Sequence, residues 1–245
     1  MNNHTEFILS PITGILKDVV SASTGIGSGI ETYPLCDYIM QSVFLKMTGF
    51  QEQKMKCICW ELATNDYEYR YEFTKTPLGE CSNYKDKQTI YKDLIKQIKK
   101  QNAGFSVSTD INKSNILTNT TSEITDRFLD TNLSVWAQKS YNEYGNIWSE
   151  ILYTYFANDD FNLFTGVSTG IYLKKIYEEH LYKHRNRIAH NTQSYQQNLP
   201  TLKTLVNEEY KYDNYFVYFS ILVLIDNIFI ELYKKYLAAL EDKTN

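Results

Sequence analysis

The sequence predicts an all-α protein, a helical bundle with a helical N-terminal extension and a short β-arm. Apolar residues recur at helical spacing through most of the chain. One segment, 215–240, is apolar on nearly all sides through Ile230, as a central helix must be. Against these, only 67–74 alternates with period two: Tyr67, Tyr69, Tyr71 and Phe73 are interleaved with Glu68, Arg70, Glu72 and Thr74.

The elements follow in order. Residues 1–32 read as a helical extension and a Gly/Ser linker, and 33–245 as the bundle domain. In 7–20, Ile8, Ile12, Ile15, Leu16 and Val19 form a helical stripe. The stretch 21–29 is linker by composition. Its glycines do not make a phosphate loop, because no strand precedes them and no Gly-Lys-Ser/Thr ends them. Pro34 opens a long helix to about Ala63, built on Leu35, Ile39, Val43, Met47, Phe50, Met55, Ile58 and Leu62. The alternating 67–74 stretch predicts a short strand or an extended arm. Pro77-Leu78-Gly79 is a turn. Segment 85–102 is a basic amphipathic helix, with Ile90, Leu94, Ile95 and Ile98 inward. Its lysines read either as a solvated face or as an RNA backbone contact.

Segment 103–121 is rich in Ser, Asn and Thr and reads as a loop. The next helix begins at 122–123, with Phe128, Leu129, Leu133, Val135 and Trp136 as its apolar set, and 146–156 continues helical. Asn158-Asp159-Asp160 is a polar turn. A helix over 167–189 has Ile171, Leu173, Ile176, Tyr177 and Leu181 as core candidates; Asn191 can supply its terminating left-handed residue, and 191–200 is a polar loop.

Composition narrows the function classes. The 245 residues suffice for one substantial core, and 43% hydrophobic content with a mean hydropathy of −0.42 fits a globular protein in water. No apolar run reaches the length of a membrane span; the longest, 215–230, is broken by Ser220, Asp226 and Asn227. The first seven residues lack a basic region, which argues against a secretory signal. A net charge of −4 excludes a general nucleic-acid coat but leaves room for a local basic cleft. The 21 tyrosines would serve base stacking or reflect a low-GC source, which explains them more cheaply. Cys36, Cys57, Cys59 and Cys81 lack zinc-knuckle spacing and read as reduced thiols of a cytoplasmic protein.

The chemistry concentrates at the end of the 167–189 helix, in His184-Arg185-Asn186-Arg187-Ile188-Ala189-His190. Two of the four arginines and two of the four histidines lie here. Arginine offers a rigid donor fork that fits phosphate, and histidine titrates near neutrality. Asn186 and His190 are i and i+4, so they share a helix face, and the long Arg185 stem reaches the same rim. The plain alternative is a solvated basic helix end favoured by the macrodipole. His180 and His184 are also i, i+4, but no third metal ligand stands at fixed spacing, so they read as surface histidines and no metal or cofactor is expected.

Arg185-Asn186-x-x-x-His190 resembles the signature of the HEPN superfamily, in which an arginine and a polar residue precede a histidine on a late helix of a bundle. The segment from Cys36 to Ala63, with Gly49 to Lys56 inside it, resembles, less specifically, the first long helix of that family. The resemblance covers roughly Tyr33 to the C-terminus and implies a HEPN-like fold. It implies a metal-independent endoribonuclease, an antiviral defence or toxin effector, in which Arg185, Asn186 and His190 are catalytic. Arg187 and His184 would bind the RNA substrate, two motifs would meet across a homodimer, and an antitoxin or defence-system partner would attend it. Two alternatives stay open: a catalytically silent HEPN-like module that binds a nucleotide, RNA or a protein, and a plain helical scaffold.

Overall fold

A computed structural model describes residues 3–27, 29–166, 172–190 and 211–241, without the side chains of Ile30 and His190. The expected start of the motif helix at 167–171, the Asn191 terminus and the 191–200 loop lie outside the described residues.

The bundle is built around one helix, Tyr215–Glu241, called α12 below because eleven precede it among the described residues. Its Phe216, Phe219, Leu222, Ile225, Phe229 and Leu232 are fully or almost fully buried, and Val223 and Ile228 on other faces are buried as well. A helix apolar all round must be enclosed all round. The helix α3 (Tyr33–Asn65), α5 (Tyr84–Gln101), α7 (Lys113–Phe128), α9 (Gln138–Ser149) and α1 (Asn3–Leu9) pack around it. By length and composition α12 could cross a membrane, contrary to the expectation, yet 83% of its apolar window is buried inside the protein.

The long helix and the basic helix form where their periodicity places them. Pro34 sits in the first turn of α3, where its missing N–H costs nothing. Asn83 caps α5 by accepting from the Asp86 N–H at 2.8 Å. Ile90, Leu94, Ile95 and Ile98 of α5 are buried. Two of its lysines are committed to carboxylates: Lys99 to Asp160, and Lys100 to Asp66 and Glu68. That favours the solvated face over an RNA contact.

Several expectations are corrected. The β-arm is a helix, α4 (Tyr67–Lys75). Asp66 caps it, accepting from the Tyr69 N–H at 2.6 Å, while Tyr69 and Phe73, i and i+4, turn inward. Tyr67 and Tyr71 are exposed, so the alternation came from solvated tyrosines rather than from a strand face. The 103–121 loop is mostly helix: a short α6 (Val107–Asp110), then α7, capped by Asn112 through the Asn115 N–H at 3.0 Å. Its polar composition hid a buried stripe of Ile116, Thr120, Ile124 and Phe128.

The following helix is divided into α7, α8 (Asn132–Trp136) and α9, which leaves Leu129 and Val135 exposed. Helix α9 ends at Ser149; a single 3-10 turn (Tyr153–Tyr155) follows, and then the chain doubles back: Ala157 N–H donates to the Leu163 carbonyl and Thr165 N–H to that of Tyr155, both at 2.9 Å.

The N-terminal residues belong to the same core. Ser10-Pro11-Ile12 breaks the predicted single stripe into α1 and α2 (Thr13–Ser23), and Ile8, Ile12 and Leu16 are fully buried. A buried ion pair holds this elbow. Lys54 of α3 contacts Asp226 of α12 at 2.6 Å, with both side chains at 1% exposure or less. Lys54 also donates to the Ser10 carbonyl at 2.6 Å, and Asp226 accepts from the Ile12 N–H at 2.9 Å. All four partners satisfy one another, as burial of two charges demands.

Candidate functional site

The chain re-enters the described structure at Tyr172 and winds through a short α10 (Leu173–Lys175), a π-helical stretch (Ile176–Tyr182) and α11 (Lys183–His190). Leu173, Ile176, Tyr177 and Leu181 are buried, as expected for the core stripe. In π-helix the i→i+5 bond widens the turn and displaces the usual i, i+4 alignment. His180 and His184 accordingly engage different partners.

His184 turns inward. Its Nε2 lies 2.9 Å from the Tyr215 hydroxyl, and its ring packs 5.6 Å from Phe44 and 5.6 Å from Tyr218. Burial, with the nearby Arg187 charge, holds its pKa down to about 4. His184 is therefore a neutral member of an aromatic cluster and does not line the cleft where the substrate-binding reading placed it.

Arg185 and Asn186 do line a cleft. It is open to solvent, encloses about 940 Å³, and is walled by Glu80, Ser82, His180, Lys183, Arg187 and Asp213 among others. The Arg185 guanidinium is held by Glu52 of α3, with Nη2 at 3.0 Å from Oε1 and 3.3 Å from Oε2. Its Nη1 donates to Asn186 Oδ1 at 3.1 Å. Glu52 lies inside the Gly49–Lys56 segment, but nothing in its sequence neighbourhood marks it as the partner of a residue 133 positions away. The side chain of His190, the third residue of the expected catalytic set, lies outside the described residues.

The cleft is mixed in charge. Glu80 pairs with Lys56, Glu179 with Lys183, and Asp213 with His180. Arg187 is the lining cation without an ion pair among the described residues. His180 and Asp213 were missed as site residues by the sequence reading. The His180 Nδ1 is 2.9 Å from Asp213 Oδ1, which also accepts from the Tyr218 hydroxyl at 2.9 Å. Burial raises the Asp213 carboxyl, but these two hydrogen bonds together with the positive charge of His180 and Arg187 outweigh it and leave the pKa below the ordinary carboxylate value.

One wall has a buried support. Lys87 of α5, 1% exposed, donates to the Cys81 carbonyl at 2.6 Å and stands 5.5 Å from the Tyr177 ring centroid. Tyr177 donates to the Ser82 carbonyl at 2.9 Å. Desolvation pulls the Lys87 ammonium down to about 8 despite the opposing pull of Glu52. Cys81 has φ of 60°, so these bonds hold a left-handed turn at the lip of the cleft.

Among the described residues no cluster of three His, Cys, Asp or Glu side chains could hold a metal ion. The four cysteines are separate buried thiols. No family model matches the chain, and neither the curated proteins nor the solved structures contain a match to it.

Proposed function

We propose that this protein is a metal-independent endoribonuclease of the HEPN type. The carrying observation is that Arg185, Asn186 and Arg187 present a guanidinium, an amide and a second guanidinium to one open cleft on a helical bundle. That donor set suits a phosphodiester: an arginine fork neutralises phosphate oxygens in the ground state and the charge that develops at the transition state. In this reading a ribose 2′-hydroxyl attacks the adjacent phosphorus and expels the 5′-oxygen. The products are a 2′,3′-cyclic phosphate and a 5′-hydroxyl. His190 moves a proton, Arg185 stabilises the phosphorane, Asn186 orients the guanidinium, and Arg187 binds the RNA backbone. The protein works in the cytoplasm as a homodimer in a toxin or antiviral system, with an antitoxin or defence partner.

The test is RNA cleavage by purified protein in EDTA beside His190→Ala. The expected result is cleavage that survives EDTA and falls by about 10²- to 10⁴-fold in the variant while RNA binding persists. Cleavage that vanishes in EDTA, or that is unchanged in His190→Ala, would overturn the reading.

A second reading has its own support. Arg185 is already bound by a carboxylate, and a guanidinium so engaged is weakened as a phosphate ligand. A catalytically silent module that binds a nucleotide, RNA or a partner protein fits that engagement. It predicts RNA or nucleotide binding with no cleavage product in any buffer.

A further inference from the structure

In-line transesterification needs a base for the 2′-hydroxyl and an acid for the leaving 5′-oxygen. One histidine on α11 supplies one of them. A second imidazole, that of His180, lines the cleft of Arg185 and Asn186. His180 and Arg185 are both lining residues, on successive turns of the π-helical stretch and α11.

The environment of His180 is specific. Asp213 faces it from the segment before α12, and the Tyr218 hydroxyl of α12 binds the same Asp213 oxygen, so the carboxylate is anchored from two sides. An ionised carboxylate can only accept hydrogen bonds, so in the neutral imidazole Nδ1 must carry the proton. That leaves the lone pair on Nε2, which has no hydrogen-bond partner among the described residues. Tyr212 packs edge-on against the ring at 5.7 Å. Glu80, Glu179, Lys183, Arg185 and Arg187 are the other charged groups lining the cleft; Glu179 pairs with Lys183, Glu80 with Lys56 and Arg185 with Glu52. The His180 side chain is 12% exposed, so the ring is held by its surroundings yet open on one edge.

We propose that His180 is the general base of this cleft and that Asp213 is its positioning residue, an inference that rests on the endoribonuclease reading above. The proton of the 2′-hydroxyl passes to His180 Nε2 as the 2′-oxygen forms its bond to phosphorus. The bond from phosphorus to the 5′-oxygen breaks, and that oxygen takes a proton from the imidazolium of His190. A solvent proton exchange then returns both rings to their starting states. Asp213 keeps Nδ1 protonated and steadies the imidazolium as it forms.

The test uses two variants and two substrates. His180→Asn retains an amide nitrogen near the position of Nδ1, able to donate to Asp213, but lacks Nε2; Asp213→Asn removes the charge that sets the tautomer. His180→Asn is expected to lower kcat by about 10²- to 10⁴-fold while affinity for an uncleavable 2′-deoxy substrate moves less than about threefold. A substrate with a 5′-bridging sulfur, whose leaving group needs no acid, should rescue His190→Ala and leave His180→Asn slow. Asp213→Asn should shift the pH–rate profile as well as lower its plateau.

Wild-type protein that cleaves RNA, beside a His180→Asn variant of equal rate, overturns this inference alone. Rescue of His180→Asn by the sulfur substrate overturns the assignment of His180 as base. Wild-type protein that cleaves no RNA defeats the endoribonuclease reading, and this inference with it. Should the variants not fold, ¹⁵N chemical shifts of His180 in the wild-type protein decide the point. A proton on Nδ1 is expected, and one on Nε2 overturns the arrangement.

Discussion

Removing the Asp226 carboxylate should cost the fold about 4 to 8 kcal/mol, and the arrangement around it gives the contributions. In Asp226→Ala the Lys54 ammonium, fully buried, keeps only the Ser10 carbonyl as a hydrogen-bond partner. Breaking a buried pair in this way costs about 3 to 5 kcal/mol. The lysine can escape by deprotonating. From its ordinary value of 10.5, that limits the charge term to about 5 kcal/mol at pH 7. The Ile12 N–H also loses its acceptor, which adds about 1 to 3 kcal/mol if no water reaches it.

The double variant Lys54→Met, Asp226→Leu removes both charges together. It should be clearly more stable than the sum of the single losses implies, because no uncompensated charge remains. It should still fall short of the wild type, since Ser10 and Ile12 keep unpaired backbone groups at the elbow. Urea unfolding followed by circular dichroism at pH 7 measures the wild type, Asp226→Ala, the single variants Lys54→Met and Asp226→Leu, and the double variant. Two results would refute the reasoning: a single-variant loss below about 1 kcal/mol, or single losses that add without coupling in the double variant.

The cleft region makes two further predictions. His184 is held at about 4 against an ordinary 6.5, so the unfolded chain binds the extra proton between those values. Its contribution is fully present above about pH 6.5 and is lost as pH falls toward 4, a difference on the order of 3 kcal/mol. His184→Phe should flatten that part of the stability–pH curve, and an NMR titration midpoint for His184 near 6.5 would contradict the burial argument. At Arg185, substitution by Lys should recover only part of the RNA cleavage lost in Arg185→Ala, because a point charge cannot span Glu52 and a phosphate as the guanidinium fork can. Equal kcat for Arg185→Lys and wild type would show that the fork is not used.

By itself the sequence determined the helical class, the central place of α12 and the inward stripes of α3 and α5, because apolar periodicity is a local property of the chain. It also drew attention to the α11 residues, since arginine is scarce here and two of the four arginines lie within three residues. It misread 67–75 because a tyrosine counts as apolar in a pattern even when it is exposed in the fold. It passed over α7 because threonine and asparagine composition masked an inward stripe. Only the tertiary structure decided which charges meet. Glu52 reaches Arg185, Lys54 reaches Asp226, and Asp213 reaches His180 across 133, 172 and 33 positions. Such pairings depend on helix packing and register, and no spacing along the chain encodes them. The same holds for the histidines. His180 and His184 look equivalent in sequence, but the π-helical turn sends one to a carboxylate at the cleft and the other into an aromatic core.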